Sequence, residues 1–381
     1  MASPSPWSVS WRSPRWPIAD GESRRPRLPN EPPSHGATAS PEPSYAEGPS
    51  TPFVTRLSDI GERGAIEILS RIYDRGQPVG LGQDCGVVDW GDDYLVVTTD
   101  VVNQKMHIPA GATPSQIGWY ATAVNLSDIA AAGARPLGFV AALSMPADTD
   151  VEFLRGLAQG MEECVREFGI AVLGGDTKES PLLSIAGTAF GRVRKDRILL
   201  RTGAKPGDAI VVTGDLGRAG HAAKVLEQPT ALRSDALNDL LRPYPRIAEG
   251  MVLSESGAAT SCMDLSDGLG VSLAQLASMT RLSYQIEWDA LPLYRGLTAL
   301  PPAVSKEVAL YYGGDYELLA TIRADAIGAL LERWPTTAPR GQRLTVIGKV
   351  AASGGNVLIT KTGREPLLGK GWEHFRSSAI R

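Results

Sequence analysis

A set of aspartates in this chain recurs at the ends of apolar segments. Asp84 follows Gly-Leu-Gly-Gln, Asp100 follows Tyr-Leu-Val-Val-Thr-Thr, and Asp176 follows Ile-Ala-Val-Leu-Gly-Gly. Asp264 and Asp267 stand three apart in Met-Asp-Leu-Ser-Asp-Gly. Taken singly each has an ordinary explanation: a turn at Asp84, a strand end at Asp100, a helix cap at Asp267. Asp128 differs, because Asn-Leu-Ser-Asp lies inside an Ala-rich helix, where a carboxylate without a partner is costly to bury. Asn125 is its i−3 neighbour and shares its helix face. Several carboxylates, only four histidines and no Cys-x-x-Cys suit a hard cation with oxygen ligands. No Asp-x-Asp-x-Asp-Gly calcium loop is present, which favours Mg²⁺, an ion that bridges carboxylates to phosphates. The glycine segments GLGQDCG and LGGDT can offer backbone N–H groups to phosphate. No G-x-x-x-x-G-K-[ST] occurs, and no G-x-G-x-x-G follows a strand, which disfavours P-loop and dinucleotide-binding folds.

The elements that must position these residues are legible as periodicity. Residues 57–75 read as a helix, and two strands flank the turn at Gly91-Asp92-Asp93. Residues 113–134 read as a long helix capped by Thr113 or Ser115 and ended by Gly133. A buried strand PLGFVAALSMP, a helix over 149–169, a strand IAVLGGDTKES running into a glycine loop, and a strand LLSIAGTAFGRV follow. This alternation predicts an α/β (α+β) domain over 56–197. Lys205-Pro206-Gly207-Asp208 marks a turn at a boundary. Beyond it, AIVVTG, ALYYGGDYELLATI and RLTVIGKV read as strands, and AGHAAKVLEQ, YPRIAEGMVLSESG, GVSLAQLAS and AIGALLERW as helices, giving a second domain over 198–381. Residues 1–55 are rich in Pro and Ser without apolar periodicity and read as a disordered tail, with a targeting segment or a start-site error as the other readings.

Composition excludes several classes. The net charge of −4 does not suit a general nucleic-acid binder. No apolar run approaches the roughly 20 residues of a membrane-spanning helix. Cys85, Cys164 and Cys262 are odd in number and far apart, which argues against a disulfide framework and places the chain in a reducing cytoplasm.

The motifs GQDC, TTDVV, NLSDIAAAGARP, GGDT, RTGAKPGD, MDLSDGL, GGDYELL and GKGWEHF occur in an order that resembles the thiamine-monophosphate kinases, of the aminoimidazole ribonucleotide synthetase superfamily. The resemblance spans residues 57–376. It implies a two-domain synthetase-like fold whose N-terminal mixed sheet pairs with that of a second subunit in a homodimer, and a C-terminal α/β domain. It implies transfer of the γ-phosphoryl group of ATP to thiamine monophosphate, assisted by several Mg²⁺ ions and with no general base. Another ATP-dependent member of the superfamily, with a different acceptor, is the alternative. Motif by motif, it implies metal ligands at Asp84, Thr98, Thr99, Asp100, Asp128, Asp176, Asp264 and Asp267. It implies ATP contacts at Gly175, Asp176, Arg201 and Ser266, and acceptor contacts at His107 and Trp372. Two positions depart from the family: Gln83 replaces the first of two adjacent acids, and Gly314 stands where a substrate-contacting acid precedes Asp315-Tyr316-Glu317. Asp315 could take that acid's place through a loop shift; in the register in which Gly314 holds that place, restoring an acid by Gly314→Glu is expected to tighten acceptor binding.

Overall fold

The computed structural model describes residues 55–73, 76–77, 79–228, 231–337 and 342–375. The expected tail, apart from Thr55, lies outside the described residues. Two sheets organise the described chain. The first is mixed and five-stranded. It is built from β1 (Gly86–Trp90), β2 (Asp93–Asn103), β3 (Arg135–Met145), β4 (Val172–Glu179) and β5 (Ser184–Arg194) in the order β1-β2-β5-β3-β4. Only β3 and β4 run parallel in it. The turn between β1 and β2 falls where Gly91-Asp92-Asp93 predicts it. The glycines Gly174 and Gly175 lie within β4 rather than in a loop beyond it, because the β3 ladder runs on to Glu179.

Three helices precede or cover this sheet. α1 (Leu57–Tyr73) leads into it, broken at Gly61 by a non-helical φ of 69°. α3 (Pro114–Ala131) and α4 (Val151–Glu167) pack against each other. They approach so closely at Gly118 that a Cβ there would run into the Leu157 carbonyl oxygen. Thr113 caps α3 in a reciprocal capping box with Gln116, choosing between the two expected caps. α3 is apolar on nearly all sides because α4, α7 (Ile247–Ser256), β2, β5 and a strand of the second sheet surround it. The short α2 (Gln104–His107) follows β2 directly.

The second sheet has seven strands in the order β12-β11-β8-β10-β6-β9-β7. These are β6 (Ala209–Thr213), β7 (Ala259–Asp264), β8 (Ser283–Glu287), β9 (Leu318–Ile322), β10 (Leu344–Ala351), β11 (Val357–Thr360) and β12 (Gly363–Pro366). Its helices are α5 (Arg218–Leu226), α6 (Arg233–Leu241), α8 (Leu269–Thr280), α9 (Pro302–Tyr311) and α10 (Ile327–Thr337). α6 and α9 are not among the helices the periodicity predicts; Ala309–Tyr311 at the end of α9 fall in the segment ALYYGGDYELLATI, of which only Leu318–Ile322 is strand. Ion pairs tie the core beneath this sheet. Arg246 donates through Nε to Glu317 at 2.6 Å and through Nη2 to the other carboxylate oxygen, and Thr213 donates to the same group at 2.7 Å. Glu317 of GGDYELL is therefore a buried structural anion.

Candidate active site

The site forms where α3, wedged between the sheets, brings its polar face to the end of β7. Asp128 lies on α3 and Asp264 closes β7. Ser127 donates to Asp264 at 2.6 Å, so one turn of α3 carries both a carboxylate and the tether for another. Thr98 of β2 donates to Asp128 at 2.6 Å, and Asn125 accepts from the Asp100 N–H at 3.0 Å. Strand alternation turns Thr98 and Asp100 toward α3 and Thr99 to the opposite face. The Thr99 hydroxyl accordingly donates to the Gly187 carbonyl at 2.6 Å. Asp84, in the turn before β1, completes the group: oxygens of Asp84, Asp128 and Asp264 lie within 4.8 Å of one another.

Charge at this point is only partly compensated. Arg201 grips Asp84 with two parallel bonds, Nε at 3.1 Å and Nη2 at 2.9 Å. Burial works against the Arg201 charge, but the Asp84 carboxylate more than offsets it, so the guanidinium is held protonated. Gln83 accepts from the Arg201 N–H at 2.6 Å and Gln275 of α8 accepts from Nη1 at 3.3 Å. Gln83 is thus a neutral brace for the arginine's backbone. Arg201 reaches the other acids only at longer range: it pulls Asp264 and Asp267 down, the latter together with Arg63, but by less than burial raises them. Burial, with Asp100, Asp264 and Asp84 nearby, pushes Asp128 well above the usual carboxylate range. Burial and Asp84 push Asp264 up to about 7, and burial and Glu62 push Asp267 up to about 7. Asp100 is raised by burial and by Glu62. Carboxylates crowded in this way fit a hard multivalent cation, which would relieve the repulsion that protonation otherwise relieves.

These acids line a cleft of about 1040 Å³ together with Thr98, Thr99, Arg201, Ser266, His107 and Trp372. Asp267 does not cap α8; Gly268 occupies the cap position, and the Asp267 side chain lines the cleft instead. The Asn103 N–H donates to His107 Nδ1 at 3.1 Å, which places the proton of the neutral ring on Nε2. The Trp372 N–H donates to the Asp267 carbonyl at 3.0 Å, tying the C-terminal segment to the acidic turn. Gly175 and Asp176 do not line this cleft. Asp176 is exposed on the edge strand β4 and pairs with Lys178 at 2.9 Å.

Comparison with known proteins follows this geometry. Residues 82–193 match the family AIR synthase related protein, N-terminal domain, and residues 205–361 match AIR synthase related protein, C-terminal domain. The thiamine-monophosphate kinase of Methanospirillum hungatei is 37% identical over 321 residues, covering 83% of this chain and 99% of the relative. That of Pyrococcus horikoshii is 33% identical over 310 residues, covering 81% and 96%. The chain belongs to the thiamine-monophosphate kinase family. A solved structure, "AaThiL complexed with AMPPCP and TMP", superposes with a TM-score of 0.73 at 28% identity, over 84% of this chain and 99% of that one. The two-domain α/β fold expected of the thiamine-monophosphate kinase family is the fold observed.

Several cleft residues escape sequence reading. Glu62 and Arg63 of α1 reach the cleft from a helix whose sequence reads as amphipathic only. Tyr120 and Tyr316 meet hydroxyl to hydroxyl at 2.9 Å at the cleft wall. Tyr316 holds a left-handed φ of 52°, a conformation costly for a bulky residue. Burial pushes Tyr120 up to about 12, so this pair stays neutral at any working pH. His374 joins Trp372 in the C-terminal segment. Tyr316 and His374 fall within the motifs GGDYELL and GKGWEHF, but their place at the cleft, like that of Glu62, Arg63 and Tyr120, is visible only once the chain has folded.

Proposed function

We propose that this chain is a cytoplasmic enzyme that transfers the γ-phosphoryl group of ATP to the phosphate of thiamine monophosphate, giving thiamine diphosphate and ADP. The observation that carries the reading is the convergence of Asp84, Asp128 and Asp264 within 4.8 Å, beside Arg201, in one cleft. An acceptor phosphate oxygen attacks the γ-phosphorus, and the bond from that phosphorus to the β–γ bridging oxygen breaks. The acceptor is already an anion, so no general base is assigned. Magnesium ions held by Asp84, Asp100, Asp128, Asp264 and Asp267, with Thr98 and Thr99 beside them, would neutralise the two phosphates that must approach. Arg201 supplies a fixed cation for ATP phosphate, Ser266 a polar contact on the same turn as Asp267, and His107 an Nε2–H toward the acceptor. Trp372 offers its ring as a wall for the thiamine moiety.

Gly175 and Asp176 enter through a homodimer. The face of the first sheet away from α3 exposes Val88, Trp90 and Val101. Val101, Ala186, Ala142 and Asp176 form one cross-strand row on that face. Burying this face against a second copy would cover the apolar side chains and carry each Asp176 toward its neighbour. In this reading residues 56–197 form the half that dimerises and supplies Asp84, Asp100, Asp128 and Asp176, and residues 198–381 the half that adds Asp264 and Asp267.

The test is a coupled assay of the purified chain with ATP and Mg²⁺, offering thiamine monophosphate and thiamine in parallel. Thiamine diphosphate formed from the monophosphate alone is the expected result. ATP turnover indifferent to the acceptor, or none, would overturn the reading. Asp176→Asn should abolish turnover although Asp176 lies outside its own chain's cleft, and Val101→Asp should yield an inactive monomer by sedimentation.

A further inference from the structure

Thiamine monophosphate joins a phosphate to a cationic thiazolium, and Gly314 offers that cation no carboxylate. The position does not readily accept one: Gly314 has a φ of 97°, and the Ala219 Cβ lies 3.0 Å from where a Gly314 Cβ would stand. Asp315 does not substitute. Its carboxylate accepts from the Gly217 N–H at 2.6 Å and the Ala219 N–H at 3.0 Å, and so is spent on the turn that starts α5.

A different carboxylate reaches the aromatic end of the cleft. Gly61 breaks α1, and Glu62 follows the break. Glu62 Oε2 accepts from the His374 N–H at 3.1 Å, across the full length of the described chain. The His374 ring lies 5.5 Å from that of His107 and 5.6 Å from that of Trp372, and Trp372 Nε1 donates to His374 Nε2 at 3.3 Å. Glu62 also acts on the acids: its charge adds to burial in raising Asp100 and Asp267. It therefore stands between the acids, where phosphate belongs, and a wall of three aromatic rings. That is the distance an acceptor must bridge when its phosphate is at one end and its charged ring at the other. Arg63, the next residue on α1, also lines the cleft and is the nearest competing cation on that helix.

We propose that Glu62 is the specificity-determining carboxylate for the acceptor's cationic ring, with His374, His107 and Trp372 enclosing that ring. Aromatic faces and a carboxylate are the two groups that recognise a weakly hydrated cation. The inference rests on the phosphotransferase reading, and its test is separable from it.

The probes are hydroxyethylthiazole phosphate and its N-methyl thiazolium derivative, which differ by one methyl group and one charge. Binding to the full chain is read by tryptophan fluorescence with Mg²⁺ and a non-hydrolysable ATP analogue, so turnover is not needed. The wild type should bind the cation about tenfold more tightly than the neutral probe. Glu62→Gln, which keeps an acceptor for the His374 N–H, should lose that preference and raise the KM for thiamine monophosphate about tenfold with the KM for ATP unchanged. Equal preference in the wild type and Glu62→Gln overturns the inference. So does a loss seen in Glu62→Ala but not in Glu62→Gln, which would make the residue only a clamp on His374. Preference for the cation without any transfer to thiamine monophosphate would instead sink the phosphotransferase reading and leave this one standing.

Discussion

Asp128→Asn should make the metal-free protein more stable while destroying its activity. Asp128 and Asp264 lie within 4.8 Å, and at an effective dielectric of about 20 two unit charges there repel by about 3.5 kcal/mol. Arg201 pairs directly with Asp84 and reaches Asp128 and Asp264 only at longer range, so the repulsion among Asp128, Asp264 and Asp100 is only partly offset. Protonation already relieves part of this repulsion. The amide also weakens the bond from Thr98 from a charged to a neutral one, a loss of about 1 kcal/mol. The net gain is then about 1 kcal/mol, or roughly 1–2 °C in Tm for a chain of this size. Its pH dependence has a fixed sign. The folded pKa of Asp128 lies above its ordinary 3.8, so the wild type loses stability as pH rises from there toward the raised value. Asparagine has no such loss, so its advantage is nil near about pH 4 and complete at the alkaline end. Thermal unfolding in EDTA at about pH 8, repeated with Mg²⁺, measures both effects. Mg²⁺ should raise the Tm of the wild type and leave that of the variant unmoved. A variant less stable than the wild type in EDTA, an equal response to Mg²⁺, or full turnover would refute the reasoning.

Metal binding at about pH 7 should release protons, because Asp264 and Asp267 are pushed up to about 7 and a cation displaces what they hold; calorimetry in buffers of different ionisation enthalpy gives the count. Glu317→Ala should destabilise by about 3–5 kcal/mol in urea unfolding, since it leaves Arg246 buried without its anion. Gly314→Glu should lower stability by about 1–3 kcal/mol without lowering the acceptor KM, because its φ of 97° is one that side chains rarely adopt. Arg201→Lys should raise the KM for ATP more than that for the acceptor, since one ammonium cannot reproduce the paired bonds to Asp84.

The sequence made the carboxylates legible because Asp84, Asp100 and Asp264 follow or close apolar runs; Asp100 nevertheless lies inside β2 rather than at its end, since the ladder with β5 runs on to Asn103, and Asp264 comes from the other sheet. Asp128 was legible for the opposite reason: an acid on a helix otherwise surrounded by apolar elements needs a purpose. Asp267 read alone as a cap, and only the cap geometry at Gly268 frees it for the cleft. The glycines of LGGDT read as a loop because a strand propensity cannot see the β3 ladder that extends β4 through them. The contact between Glu62 and His374 was invisible, since it joins residues 312 positions apart and depends on no local pattern. Asp315 misleads for the same reason: the N–H groups that consume it belong to a turn about a hundred residues earlier.

The place of Asp176 on the open face of β4 has a genetic consequence. On the homodimer reading, a complete centre takes Asp128 from one chain and Asp176 from the other. Two inactive proteins, Asp128→Asn and Asp176→Asn, would then complement each other. A mixed dimer holds one centre with both defects and one with neither. Random exchange of equal amounts would restore about a quarter of wild-type activity from parents that have none. A cell carrying both defective alleles would grow without added thiamine diphosphate where either allele alone would not.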